Sequence, residues 1–210
     1  MKTLIFDLDG TLVDTRKDIT ASINFIRSEV YGLPPMNERE IVGLMNRPGL
    51  NLAYEFYGVE RYEERAREMF EEHYSRQCLQ NARCFDGIAE LLQVLDGSGI
   101  EMFVATNAPT KTSKIILQNC GIDKFFADVV GADRVEEPKP HPQMLKMITG
   151  SRNRERCWMV GDSLKDVMAA RGAGITPVLA QWGFCDGGEI EEEVEIEAKR
   201  PIDILRVVGV

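Results

Sequence analysis

Lys2-Thr3-Leu4-Ile5-Phe6-Asp7-Leu8-Asp9-Gly10-Thr11-Leu12-Val13-Asp14 is the stretch from which the fold follows. Lys2 to Phe6 is a short apolar run, and Gly10 marks a turn after it, which together read as a buried strand. The carboxyl end of that strand carries Asp7 and Asp9. At i and i+2 their carboxylates project to the same side if strand geometry persists, at the end of a strand where open α/β sheets bind ligands. A solvated turn is one alternative. A calcium loop is another, but it would need its glycine at the sixth position and further ligands beyond it, which this segment lacks.

Similar short apolar runs recur at 100–105, 128–131, 157–160 and 175–179, each followed or preceded by a helical pattern. Strands alternating with helices imply an α/β protein with a mostly parallel sheet. Ile88, Leu91, Leu92 and Leu95 share one face of a helix, and 111–120 forms another that Gly121 closes. In a helix over 164–171, Leu164, Val167, Met168 and Ala170 are available for packing, with Gly172 and Gly174 at its end. Residues 14–83 carry no strand signal and strong helical periodicity, which is too long for a simple crossover. Ile19, Ile23, Ile26 and Val30 mark one helix there, Gly32-Leu33-Pro34-Pro35 ends it, Asn37 and Glu40 resemble a capping box, and a further helix runs through Ala66, Met69, Phe70 and His73. The expected organisation is an α/β core from 1–13 and 84–210 with an inserted, all-helical domain at 14–83. In the tail, Val194 and Ile196 alternate with glutamates from Glu191 to Glu197, suggesting a solvated edge strand before a short helix from Pro201.

Three further places carry chemistry. Thr106 and Asn107 stand where a strand ends, so their hydroxyl, amide and backbone donors can hold the oxygens of a ligand; Thr106 can equally cap a helix beginning near Pro109. Lys139 lies between Pro138 and Pro140, which stiffen the loop and can hold its ammonium as a point charge, although a lysine in a proline turn is usually just exposed. Asp162 follows the buried-strand pattern Trp158-Met159-Val160-Gly161, and Asp166 comes four residues later on the same helix face. Asp162 can also serve merely as the cap of that helix.

Taken in order, Asp7-Leu8-Asp9-Gly10-Thr11-Leu12-Val13-Asp14, Val104-Ala105-Thr106-Asn107, Glu137-Pro138-Lys139-Pro140 and Gly161-Asp162-Ser163-Leu164-Lys165-Asp166 resemble the four signature motifs of the haloacid-dehalogenase superfamily of phosphatases, and Val13-Asp14-Thr15 through Asp18-Ile19, Gly32-Leu33-Pro34 and the loop from Gly43 to Gly49 resemble its phosphoglycolate phosphatase group. The resemblance implies a Rossmann-like parallel sheet flanked by helices, a helical cap, and a Mg2+-dependent phosphomonoester hydrolase acting on a small phosphorylated metabolite, possibly 2-phosphoglycolate, through an aspartyl-phosphate. It implies Asp7 as nucleophile and Asp9 as acid and base. It also implies Thr106, Asn107 and Lys139 around the phosphoryl group, and a metal held by Asp7, Asp162 and the backbone carbonyl of Asp9, with Asp166 as ligand or support. In the cap, Arg47 of Asn46-Arg47-Pro48-Gly49 is the candidate for a substrate carboxylate; a surface arginine is the plain alternative. Chemistry agrees on the nucleophile, since a carboxylate of ordinary pKa near 3.9 is ionised at pH 7 and needs no neighbouring histidine to attack phosphorus.

A formal net charge of -9 argues against nucleic acid and anionic membrane as partners, both of which need clustered positive charge. Five scattered cysteines without a CxxC pair suggest neither a disulfide framework nor a zinc site. Without a long apolar leader or a run of roughly 18 apolar residues, a cytoplasmic protein is expected, as monomer or homodimer. The alternatives are a dehalogenase, which has no need of Asp9; a phosphosugar mutase of the same family, whose early cap histidine is missing from 14–30; and a non-catalytic phosphate-binding regulatory protein.

Overall fold

The computed structural model describes residues 1–184 and 194–210. In chain order its elements are β1 (Thr3–Phe6), β2 (Val13–Asp14), α1 (Arg16–Glu29), α2 (Glu38–Asn46), α3 (Leu52–Tyr57), α4 (Glu64–Gln77), β3 (Arg83–Cys84), α5 (Ile88–Gly97), β4 (Glu101–Ala105), α6 (Thr110–Asn119), β5 (Asp128–Val130), α7 (Gln143–Thr149), β6 (Cys157–Gly161), α8 (Leu164–Ala173), β7 (Thr176–Ala180), β8 (Glu197–Ala198) and α9 (Asp203–Val208). The chain divides into two compact units, Met1–Asp14 with Cys84–Val210, and Thr15–Arg83.

In the first unit, Leu4, Ile5 and Phe6 have no exposed surface, as a strand covered on both faces requires. Each such side chain contributes about 1.5–3 kcal/mol by leaving water. β1 pairs in parallel with β4 on one side and β6 on the other, within a six-stranded sheet of order β5-β4-β1-β6-β7-β8. The remaining neighbours are parallel as well. The chain fills the β4–β5 side first and only then the β6–β8 side, so the strand order reverses at β1. Carboxyl ends of strands beside such a reversal open into a crevice. The register aligns Phe6 with both Val104 and Val160, so Asp7 comes level with Ala105 and Gly161, and Thr106 and Asp162 follow one residue further on at the same end of the sheet.

Helices cover this sheet. The face Ile88, Leu91, Leu92 and Leu95 of α5 is completely buried, as its spacing predicts. α8 differs from expectation in two ways. Its buried stripe is Asp166, Val167, Ala169, Ala170 and Ala173, while Met168 points off that stripe and is 41% exposed. It also continues through Gly172 and stops at Gly174, which is left-handed. The edge strand β8 lies parallel to β7; Glu191 to Glu193, where the alternating pattern begins, and Cys185 lie outside the described residues. Among the described residues, Cys78, Cys84, Cys120 and Cys157 form no disulfide.

The second unit is built from helices, and only its edges depart from the expected strand-free stretch 14–83: Asp14 ends β2 and Arg83 begins β3, which pair as a two-stranded sheet where the chain leaves and re-enters the first unit. α1 packs on α4: the Phe25 ring stacks on His73 with centroids 4.2 Å apart, Ser22 Oγ lies 3.0 Å from His73 Nδ1, and Ile19, Ser22, Ile23 and Ile26 of α1 and Ala66 and Tyr74 of α4 are buried. Asn37 caps α2 by accepting from the Glu40 amide at 2.8 Å. The reciprocal half of a capping box is replaced by a 3.5 Å contact between the two side chains. Between α1 and the end of α4 sits a buried polar knot. Asp18 is fully buried and accepts from Gln77 Nε2 at 2.9 Å, Asn81 Nδ2 at 2.7 Å and the Asn81 amide at 3.2 Å.

Candidate active site

The site is assembled in the first unit from five loops that follow β1, β4, β5, β6 and β7. Asp7 leaves β1 with its amide still bonded to the Val160 carbonyl at 2.9 Å. The chain then turns tightly: the amides of Leu12 and Val13 both donate to the Leu8 carbonyl at 3.0 Å. Asp7 is buried and Asp9, two residues on, is half-buried.

Lys139 is 5% exposed, which corrects the plain reading of a lysine in a proline turn. Its ammonium donates to Asp7 Oδ1 and to Asp166 Oδ1, each at 2.6 Å. The loop that carries it is clamped by Asn107, whose Nδ2 donates to the Lys139 carbonyl at 2.8 Å while its Oδ1 accepts from the Lys139 amide at 3.0 Å. Asn107 thus spends its side chain on holding Lys139. Thr106 is buried beside it and its hydroxyl accepts from the Ala108 amide at 3.1 Å.

Asp162 ends β6. Ser163, not Asp162, caps α8, and it shares a capping box with Asp166, whose Oδ2 accepts from the Ser163 hydroxyl at 2.7 Å and from its amide at 3.2 Å. One oxygen of Asp166 therefore fastens the helix start and the other meets Lys139. Asp162 Oδ1 accepts from the Thr11 hydroxyl at 3.1 Å, and its Oδ2 from the Phe184 amide at 3.1 Å. Sequence reading did not single out Thr11, Trp182, Gly183 or Phe184 around this residue. The available signal was an aromatic-rich turn following the apolar run of β7, at the same end of the sheet as the aspartates.

Asp7, Asp162 and Asp166 each offer a carboxylate oxygen within 4.8 Å of the others, all three buried. Burial, the charges of Asp166 and Asp9, and the opposing pull of Lys139 leave Asp7 pushed up to about 7. Burial and the neighbouring charges of Asp7 and Asp166 hold Asp162 well above the usual carboxylate range. Burial works against the Lys139 ammonium, but Asp166 and Asp7 outweigh it and keep the group above the ordinary lysine range. Three buried carboxylates face one buried ammonium, that of Lys139, with the half-buried Lys165 also acting on Asp166 and Asp7. An all-oxygen donor set of this kind suits a hard divalent cation. Arg47 belongs to the second unit, where it is exposed and ends α2.

Residues 4–180 match the model of the haloacid dehalogenase-like hydrolases, and the chain belongs to that family. A phosphoglycolate phosphatase from Xanthomonas campestris pv. campestris (strain 8004) is 33% identical over 189 residues, covering 87% of this chain and 84% of its own. An N-acetylmuramic acid 6-phosphate phosphatase from Pseudomonas aeruginosa is 29% identical over 189 residues, covering 88% and 83%. The crystal structure of a predicted phosphoglycolate phosphatase from Haemophilus somnus 129pt superposes with a TM-score of 0.83 at 27% identity, covering 99% of this chain and 97% of that one. Within the family this chain is an enzyme of the phosphatase class. Among the described residues no helix is long and apolar enough to cross a membrane.

Proposed function

We propose that this phosphatase hydrolyses a small phosphomonoester that also carries a carboxylate, with Mg2+ as cofactor and Asp7 as nucleophile. The observation that carries the reading is the convergence of the buried Asp7, Asp162 and Asp166, with carboxylate oxygens within 4.8 Å of one another, beside the buried Lys139 ammonium, which lies 2.6 Å from Asp7 and from Asp166. Asp7, Asp162 and the Asp9 carbonyl would hold the cation, with Asp166 supporting. Such an ion supplies charge neutralisation between carboxylates and a phosphate dianion.

The chain's own groups carry the steps. Lys139 holds the unprotonated form of Asp7 and, with the Thr106 hydroxyl, receives phosphoryl oxygens. A carboxylate oxygen of Asp7 bonds to phosphorus as the bond to the ester oxygen breaks. Asp9 gives its proton to the departing alkoxide, then takes one from the water that attacks phosphorus; inorganic phosphate leaves and Asp7 is regenerated. Asn107 acts by fixing Lys139. Residues 14–83 would act as the cap that selects substrate, and Arg47 is the residue in it assigned to the substrate carboxylate. A carboxylate-bearing substrate is supported by two relatives at once, since phosphoglycolate and N-acetylmuramic acid 6-phosphate both carry one beside the phosphate.

The test is phosphate release from 2-phosphoglycolate, N-acetylmuramic acid 6-phosphate and p-nitrophenyl phosphate, with magnesium or with chelator. Chelator should abolish turnover, and the two carboxylate-bearing esters should exceed p-nitrophenyl phosphate in kcat/KM by about 10-fold or more, the effect of one charged contact. Asp7→Asn should fold and lose activity by about 1,000-fold or more. Undiminished turnover in that variant would falsify the nucleophile assignment.

A further inference from the structure

We propose that the loop Trp182-Gly183-Phe184 is a positioning element for Asp162, setting the affinity of the metal site from the far side of the sheet end. The inference rests on Asp162 being a metal ligand, as proposed above. Asp162 Oδ1 accepts from the Thr11 hydroxyl and its Oδ2 from the Phe184 amide, both at 3.1 Å. Bonds to both oxygens fix the rotation of the carboxylate. Outer partners of this kind typically change metal affinity 10- to 100-fold when removed.

Both donors are themselves fixed. The Trp182 indole N–H donates to the Thr11 carbonyl at 2.9 Å, which ties the loop to the turn that carries the Thr11 hydroxyl. Phe184 is 3% exposed and meets Phe85 edge-on, with ring centroids 6.2 Å apart. Between them the backbones approach so closely that neither side has room for a side chain. A Cβ on Gly183 would lie 1.9 Å from the Gly10 carbonyl oxygen and 2.7 Å from Asp162 Cβ. One on Gly10, whose φ is +86°, would lie 2.5 Å from Asp162 Oδ2 and 2.7 Å from the Phe184 ring. Loop, turn and carboxylate are thus one packed unit built from segments more than 150 residues apart along the chain.

The experiment is a calorimetric titration of Mg2+ into the full-length protein without substrate, beside the magnesium concentration that half-activates phosphate release. Gly183→Ala must displace the loop, and it should weaken magnesium binding by about 10- to 100-fold. Trp182→Phe removes one hydrogen bond, and it should weaken binding by about 3- to 10-fold. In both variants kcat at saturating magnesium should fall much less than the affinity does. A loop with a merely structural role would lower the melting temperature and leave the magnesium affinity of the folded protein unchanged; that result overturns the proposal while leaving the nucleophile assignment intact. Should Gly183→Ala not fold, Trp182→Phe decides. If the wild type binds no magnesium, the metal assignment of Asp162 fails and this inference falls with it.

Discussion

Asp7 is placed where a carboxylate is costly. An aspartate that titrates near 3.9 in an unfolded chain and at about 7 here binds more protons folded than unfolded between those values. The contribution of this group to stability is therefore fully present below about pH 4 and is lost as the pH rises through 7, the reverse of an ordinary ion-paired carboxylate. Metal-free protein should lose stability between pH 5 and pH 8 more steeply in the wild type than in Asp7→Asn, measured by urea unfolding in chelator; equal slopes would show that the cost is not carried by Asp7. The residues on which this depends were legible in the sequence because each interrupts a pattern: Asp7 and Asp162 end apolar runs, and Lys139 sits between two prolines. Burial of Lys139 was not legible. It depends on Asn107 gripping its backbone across 32 residues, and no local preference encodes that contact.

At the level of elements, long apolar runs and periodic stripes announced themselves, as α5 and β1 illustrate. α3 and α7, of six and seven residues, passed unnoticed because they offer less than two turns of periodicity. The cap unit contains the more instructive omission. Asp18 lies in the first turn of α1, where an aspartate is expected to face water and the helix dipole, yet it is fully buried and takes three hydrogen bonds from Gln77 and Asn81. It thereby ties the start of α1 to the segment after α4. Removing it takes the acceptor from half-buried Gln77 and exposed Asn81, whose donors can turn to water, so the loss is that of the hydrogen bonds to one charged group. Asp18→Ala should destabilise the protein by about 1.5–3 kcal/mol, and Asp18→Asn by less, since the amide keeps one acceptor. A loss in Asp18→Ala below about 0.5 kcal/mol, the range of ordinary surface substitutions, would mean that the knot is incidental.

For the whole molecule the question is how a chain of net charge -9 takes up an anion. Its overall charge matters little at physiological salt, because exposed charges are screened beyond about 8 Å. The local balance decides. Asp7, Asp162 and Asp166 oppose the single buried ammonium of Lys139, and two like charges 4 Å apart repel by about 4 kcal/mol at the effective dielectric of such sites. A divalent cation reverses that balance, so cation and phosphate should bind as thermodynamic partners, each raising the affinity of the other by the same factor. Inorganic phosphate or vanadate should therefore tighten magnesium binding by about 10-fold or more in calorimetry, and should bind feebly in chelator. Raising the salt concentration would relieve a repulsion spread over the whole surface, but it cannot supply a charge inside a buried cluster. If salt restored phosphate binding without a divalent ion, the obstacle would lie in the net charge of the molecule and not in the three aspartates at the strand ends.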